Sequence, residues 1–129
     1  RKEMASTVQY LRNKKQGSFV VKVEGDGADT IDLDASALTG LPADGTATLR
    51  RAMWTMASGA ITVTWDGATD AVAARFSGNG NWNLTQNPPV IANNATDPTG
   101  DIVIAKTTAS VYSIILEFGT GAYKEDAAA

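Results

Sequence analysis

Ala60-Ile61-Thr62-Val63-Thr64-Trp65 is the stretch that decides the fold. Ile61, Val63 and Trp65 recur at every second position with Thr62 and Thr64 between them. Only an extended chain puts alternate residues on one face, and β-branched side chains suit a pleated surface buried on one side. The segment therefore reads as a half-buried strand, and the same period recurs on both sides of it.

Towards the N-terminus, Thr46–Ala57 reads as a longer strand in which Leu49 and Met53 share a face with Arg51, while Trp54 and Met56 take the other. That mixed pattern predicts a bulge or burial on both sides. Thr30–Asp34 alternates cleanly, with Ile31 and Leu33 inward and Asp32 and Asp34 outward. Ser18–Glu24 places Phe19, Val21 and Val23 together, and Thr7–Arg12 sets Val8, Tyr10 and Arg12 against Thr7, Gln9 and Leu11. Asp34–Leu41 alone permits a short helical turn, closed by Pro42 and Gly45. Beyond Trp65, the strands read as Ala71–Phe76, a short Trp82–Thr85 piece, Asp101–Lys106 and Ser110–Phe118.

The breaks between these strands are turn residues. Ser58-Gly59, Asp66-Gly67-Ala68-Thr69-Asp70 and Ser77-Gly78-Asn79-Gly80-Asn81 read as turns, and Gln86–Gly100 as the longest irregular segment. Eight or nine short strands with almost no helical signal predict an all-β fold, an antiparallel β-sandwich with jelly-roll or related Greek-key connections. The domain reading is a basic N-terminal arm over residues 1–15 with a possible first strand, a sandwich over 16–118, and a flexible tail over 119–129.

The chain has 129 residues, 43% of them hydrophobic and 19% charged, with no His and no Cys. That supports one domain with a real core and excludes a disulfide framework or a thiolate metal site. Without His or Cys, catalysis would rest on carboxylates, hydroxyls, amines and backbone. No G-x-S-x-G elbow or S-x-x-K pattern is present, so no catalytic residue is assigned and the chain reads as a non-enzyme.

Asp26, Asp29, Asp32 and Asp34 form an acidic run, but their spacing is not that of an EF-hand, and a solvated acidic face is the preferred reading over a bound ion. Asp66 and Asp70 read as caps for nearby backbone N–H groups. No metal or cofactor is expected. Trp82, set among glycines and asparagines, reads either as a platform for a sugar or, preferably, as a loop anchor against the sandwich. Trp54 and Trp65 read as core or subunit contacts.

Charge is uneven along the chain. Arg1, Lys2, Arg12, Lys14 and Lys15 stand against Glu3 in the first fifteen residues, whereas the whole chain carries −3 with a pI near 4.8. A basic arm on an acidic body suggests docking to an acidic surface, with a solvated terminus as the plainer alternative. The acidic balance argues against nucleic acid, and no apolar run is long enough to span a bilayer. No secretory pattern opens the sequence, and its start without Met suggests processing or trimming.

From about Thr46 to Phe118 the order of motifs resembles small virion structural proteins of tailed bacteriophages. The elements are Ala52-Met53-Trp54, Trp65-Asp66-Gly67-Ala68-Thr69-Asp70, Ser77-Gly78-Asn79-Gly80 followed by Trp82, Thr99-Gly100-Asp101-Ile102, and Tyr112-Ser113-Ile114-Ile115-Leu116-Glu117. The resemblance implies a β-rich capsid decoration or cement protein on the outer capsid surface of the virion, assembled in the host cytoplasm. It carries over no catalytic residue. The expected partners are the major capsid protein and further copies of the chain, as a homotrimer. Candidate partner-binding residues are Arg1, Lys2, Val8, Tyr10, Arg12, Lys14, Lys15, Trp82, Pro88 and Pro89. A tail, neck or fibre-associated protein, or a carbohydrate-binding module, are the alternatives.

Overall fold

The computed structural model describes residues 7–13, 18–35, 38, 47–83 and 91–119; for Arg12, Asn13, Ser18, Trp82 and Asn83 it describes the backbone alone. Seven strands make up this part: β1 (Thr7–Asn13), β2 (Ser18–Gly25), β3 (Thr30–Leu33), β4 (Thr48–Thr69), β5 (Ala71–Asn83), β6 (Thr96–Lys106) and β7 (Tyr112–Gly119). Every pairing is antiparallel. Among the described residues no helix is long and apolar enough to cross a membrane.

β4 organises the molecule. Its partner along nearly the whole length is β5, while its first part, Thr48 to Met56, pairs with β7 and its second, Ile61 to Thr69, with β6. β7 and β6 therefore lie end to end along one edge of β4. The sheet order β1-β2-β7-β4-β6-β3 describes one hydrogen-bonded surface that folds over between these two parts. One half is β1-β2-β7 with the start of β4 and the end of β5; the other is β3-β6 with the end of β4 and the start of β5. The fold-over brings Trp65 of the second half to 6.0 Å from Phe118 of the first, ring centre to ring centre. Phe19, Trp65, Phe76, Tyr112 and Phe118 form the core together with buried aliphatic side chains of β2, β3, β4, β6 and β7, and Val8 of β1 packs against it, as in a β-sandwich of jelly-roll type.

The fold-over sits at Ala57–Ala60. Gly59 has φ +81°, and the register of β4 against β5 slips between Thr55 and Ala60. Before the slip Ala52 and Met56 are buried, whereas after it Ile61, Val63 and Trp65 are, so the inward face passes from even to odd positions. The connection between β6 and β7 holds this corner. Ala57 N–H donates to Val111 O (3.1 Å), Thr107 N–H to Ala60 O (2.9 Å), and Ser110 Oγ both donates to Ser58 O (2.9 Å) and accepts from Ser58 N–H (3.2 Å). The buried ammonium of Lys106 donates to Thr107 O (2.9 Å), Thr108 O (2.5 Å) and Ser110 Oγ (2.9 Å), which uses its three hydrogens.

Several sequence-based boundaries are corrected. Ser58-Gly59 and Ser77-Gly78-Asn79-Gly80-Asn81 do not end strands; they are opposed irregularities within β4 and β5, where glycines at φ +81° and +66° bend the hairpin while pairing continues. The strand also runs through Asp66-Gly67-Ala68-Thr69, which leaves Asp70 between the two strands. Thr96–Gly100, read as irregular, belongs to β6. Leu49 and Met53 lie on opposite faces, because the register of β4 on β7 shifts between Leu49 and Arg51; of the two readings of the mixed pattern, a bulge or burial on both sides, this is the bulge. Of the helical turn expected from Asp34, the described part is Leu38 N–H donating to Asp34 O (3.1 Å). Ile91 exchanges two backbone hydrogen bonds with Leu49; residues 84–90 and 120–129 lie outside the described residues.

Candidate functional site

The outward face of the first half is built by register. Lys22 of β2, Ile115 of β7, Met53 of β4 and Asn81 of β5 stand side by side across four strands. Parallel rows flank them, with Val20, Glu117 and Arg51 on one side and Glu24, Ser113, Thr55 and Asn79 on the other. The residues between them, Val21, Val23, Ile114, Leu116 and Ala52, are buried, so these rows point outward.

A groove of about 240 Å³ runs over this face, floored by Met53 and Ile115 and walled by Thr55, Asn81 and Ser113. Trp54, between Met53 and Thr55 in β4, borders the groove and packs against the core on the other side of the strand. Its Nε1–H donates to Ser77 O (2.9 Å), its ring packs 4.6 Å from Phe76, and it crosses Gly80 so closely that a Cβ there would lie 2.7 Å from the indole. Glycine at position 80 is thus a requirement of the Trp54 ring. Thr55 Oγ1 donates to Asn79 Oδ1 (2.6 Å) and fixes the far wall. A second cavity of about 60 Å³ adjoins the first through Met53 and Ile115, and Val20, Arg51 and Glu117 complete it.

Two ion pairs lie on these rows. Lys22 Nζ lies 3.8 Å from Glu24 Oε1, and Arg51 lies 2.5 Å from Glu117 Oε1. The second pair is unequal, because Arg51 is half exposed while Glu117 is buried. The guanidinium approaches Glu117 Oε1 off the hydrogen-bond direction, so this oxygen has an ion-pair partner but no aligned donor.

The other half carries the acidic residues. Asp101 Oδ1 accepts from Ala35 N–H (2.8 Å), Asp66 Oδ2 from Thr99 Oγ1 (2.8 Å), Asp70 Oδ1 from Gly67 N–H (3.0 Å) and Asp29 Oδ2 from the Tyr112 hydroxyl (2.9 Å). Asp70 is the backbone cap that the sequence suggests. Among the described residues no group of three or more carboxylates is placed to hold a metal ion. Partial burial, then repulsion from Asp101, Asp34 and Asp66, pushes the Asp32 carboxyl above its ordinary value of 3.8.

The folded chain thus holds the Asp32 proton more tightly than the unfolded chain. Stability from this group is full below 3.8 and is lost as pH rises through the raised value. Asp32→Asn is accordingly expected to raise the melting temperature at pH 7 by about one to two degrees, since the carboxylate is exposed and screened. At pH 3 the two proteins should melt together. Thermal scans at both pH values check this, and a lower melting temperature for the variant at pH 7 would contradict it.

The residues singled out from sequence do not converge. Val8 packs against the core and the Tyr10 ring lies 5.8 Å from Phe19, so β1 is a seated edge strand of the sheet. The backbone of Arg12 pairs with Val20. The backbone of Trp82 pairs with Ala52 at the opposite edge of that half, four interstrand steps or about 19 Å from β1. Arg1, Lys2, Lys14, Lys15, Pro88 and Pro89 lie outside the described residues. Arg51, Met53, Asn81, Ile115 and Glu117 are not singled out by sequence reading. The one local signal is Glu117, a carboxylate set between Leu116 and Phe118 in an otherwise apolar strand.

No family model and no curated protein matches the chain. Among solved structures it is similar to CBM29_1, a family 29 carbohydrate-binding module from Piromyces equi, with TM-score 0.52 and 9% identity over 92% of this chain and 93% of that one. A mutant of CBM29-2 gives TM-score 0.52 at 8% identity, with the same coverage. The cupin domain of Schizosaccharomyces pombe Cnp3 gives TM-score 0.46 at 10% identity over 95% of this chain. The chain spans 66% of that cupin domain's length and 51% of an oxalate oxidase that it also matches. At these identities the likeness to the carbohydrate-binding modules is one of fold.

Proposed function

We propose that this protein is a non-enzymatic virion component of a tailed bacteriophage, a capsid decoration protein that binds the major capsid protein on the outer shell as a homotrimer and stabilises it. The sequence motifs behind this reading fall on β4 to β7, the strands that build most of the sandwich. The structural observation that carries it is the edge strand β1. Among the described residues β1 pairs with β2 alone, and it presents Tyr10 and Leu11, 41% and 47% exposed, in a part of the sequence rich in basic residues.

An open edge with exposed apolar side chains is a template for strand addition, a docking mode in which backbone hydrogen bonds supply affinity and side chains supply register. Many copies bound to assembled shells stabilise them by mass action, by about 2.7 kcal/mol per site at a hundredfold excess over Kd. The absence of His and Cys from the sequence supports a binding role.

The test is to compare decorated with stripped particles and to locate the labelled chain on them by electron microscopy. Label over the whole shell with a higher melting or rupture threshold is the expected result, and Leu11→Asp should lower occupancy. Equal thresholds at full occupancy would reject the stabilising role. A signal confined to the tail or one vertex would favour a tail or neck protein instead.

A further inference from the structure

We propose that the outward groove over Met53 and Ile115 binds a neutral polyhydroxylated chain, an oligosaccharide of uncharged hexoses. This inference does not depend on the capsid reading, and the surface is separate from the β1 edge. It also differs from the Trp82 platform considered from sequence.

Four observations lead to it. The floor is apolar and accessible: Met53 is 51% exposed beside Ile115, and an unbranched thioether adapts its shape to the C–H face of a sugar ring. The walls carry short neutral hydrogen-bonding groups: the amide of Asn81 and the hydroxyl of Ser113 can donate and accept, and the Thr55 hydroxyl, whose hydrogen goes to Asn79, can accept from sugar hydroxyls.

The adjoining 60 Å³ cavity has room for one hydroxymethyl group and is lined by Glu117, whose buried Oε1 lacks an aligned donor. A ligand hydroxyl entering there would supply one, and the half-exposed Arg51 guanidinium keeps donors for a neighbouring oxygen. Finally, the charges that line these rows stand in pairs, Lys22 with Glu24 and Arg51 with Glu117, an arrangement that suits an uncharged polyol better than a polyanion. The rows extend over three interstrand steps, about 14 Å, a span suited to a short oligosaccharide.

The experiment titrates the isolated full chain with neutral hexasaccharides (β-1,4-glucan, β-1,4-mannan and α-1,4-glucan) and with an α-1,4-galacturonan as the charged control. Calorimetry reads affinity, and amide chemical shifts locate the contact. At least one neutral chain is expected to bind with a Kd of about 0.01–1 mM. Its shifts should centre on Met53, Asn81 and Ile115. Asn81→Ala and Met53→Ser, both at exposed positions, should each weaken binding about tenfold with an unchanged melting temperature. The inference is overturned if no neutral chain binds at about 5 mM, if the galacturonan binds better, if the shifts map elsewhere, or if both variants bind like the parent. Capsid occupancy of these two variants should equal the parent's, so failure here is distinguishable from failure of the capsid reading.

Discussion

Gly59→Ala is expected to lower the unfolding free energy by about 3 kcal/mol or more, while Gly78→Ala, a few residues away across the same hairpin, should cost only about 1 to 2 kcal/mol. Both glycines have positive φ, +81° and +66°, so both substitutions incur backbone strain. They differ in what a methyl group meets. At Gly59 a Cβ would lie 2.2 Å from the Thr107 carbonyl oxygen and 3.0 Å from Lys106 Nζ, whereas at Gly78 nothing lies within 4 Å. The Thr107 carbonyl is a backbone atom held by Lys106, so relief at Gly59 requires the β6–β7 connection to move. Urea unfolding of the two variants measures the difference. Comparable losses would show that backbone strain alone is felt at both sites and that the close approach at Gly59 is readily relieved.

These same glycines explain what the sequence could and could not say. Alternation over Ala60–Trp65 and Ser110–Phe118 is legible because burial on one face imposes period two, and the structure buries Ile61, Val63, Trp65, Tyr112, Ile114, Leu116 and Phe118 accordingly. Gly59 and Gly78 are read as strand breaks because glycine at positive φ serves a chain reversal and an in-strand bulge equally well. Only the partner strand decides between them. Here the last residue of β6, Lys106, and Ser110 of the β6–β7 connection hold a bend in place of a turn, and two predicted strands become one of 22 residues.

The candidate groove was harder to read for a related reason. Arg51 and Glu117 are 66 positions apart and meet only because β4 pairs with β7 in a register that the Leu49–Arg51 bulge sets by one residue. A shift of one residue would turn Met53 inward and Ala52 outward. The sequence carries the composition of the face but not its alignment. Val8 and Tyr10, by contrast, were visible as alternating residues, and the structure seats them at the edge of the sheet.

Lys106→Met is expected to destabilise the protein by about 3 kcal/mol, although methionine nearly matches lysine in volume and suits a buried site. The ammonium, which also lies 5.5 Å from the centre of the Tyr112 ring, satisfies two carbonyls and a serine hydroxyl in the corner. One of those carbonyls belongs to Thr108, a β-branched residue at φ +57°. Such a conformation persists only where its surroundings hold it, and Lys106 fastens its carbonyl. Ser110→Ala removes one acceptor of the ammonium and both contacts to Ser58, and it should cost about 1 to 2 kcal/mol. Because the two side chains share a hydrogen bond, the double variant should lose less than the sum, with a coupling of about 1 kcal/mol. Hydrogen exchange adds a local readout: the amides of Ala57 and Thr107, which bond across the corner, should open faster in Lys106→Met than amides in the centre of β7. Full stability with unchanged exchange at those amides would mean that the backbone bonds alone hold the fold-over. The expected loss would instead identify a single buried cation as the fastening between the two halves of the sandwich, at the point where β4 passes from one to the other.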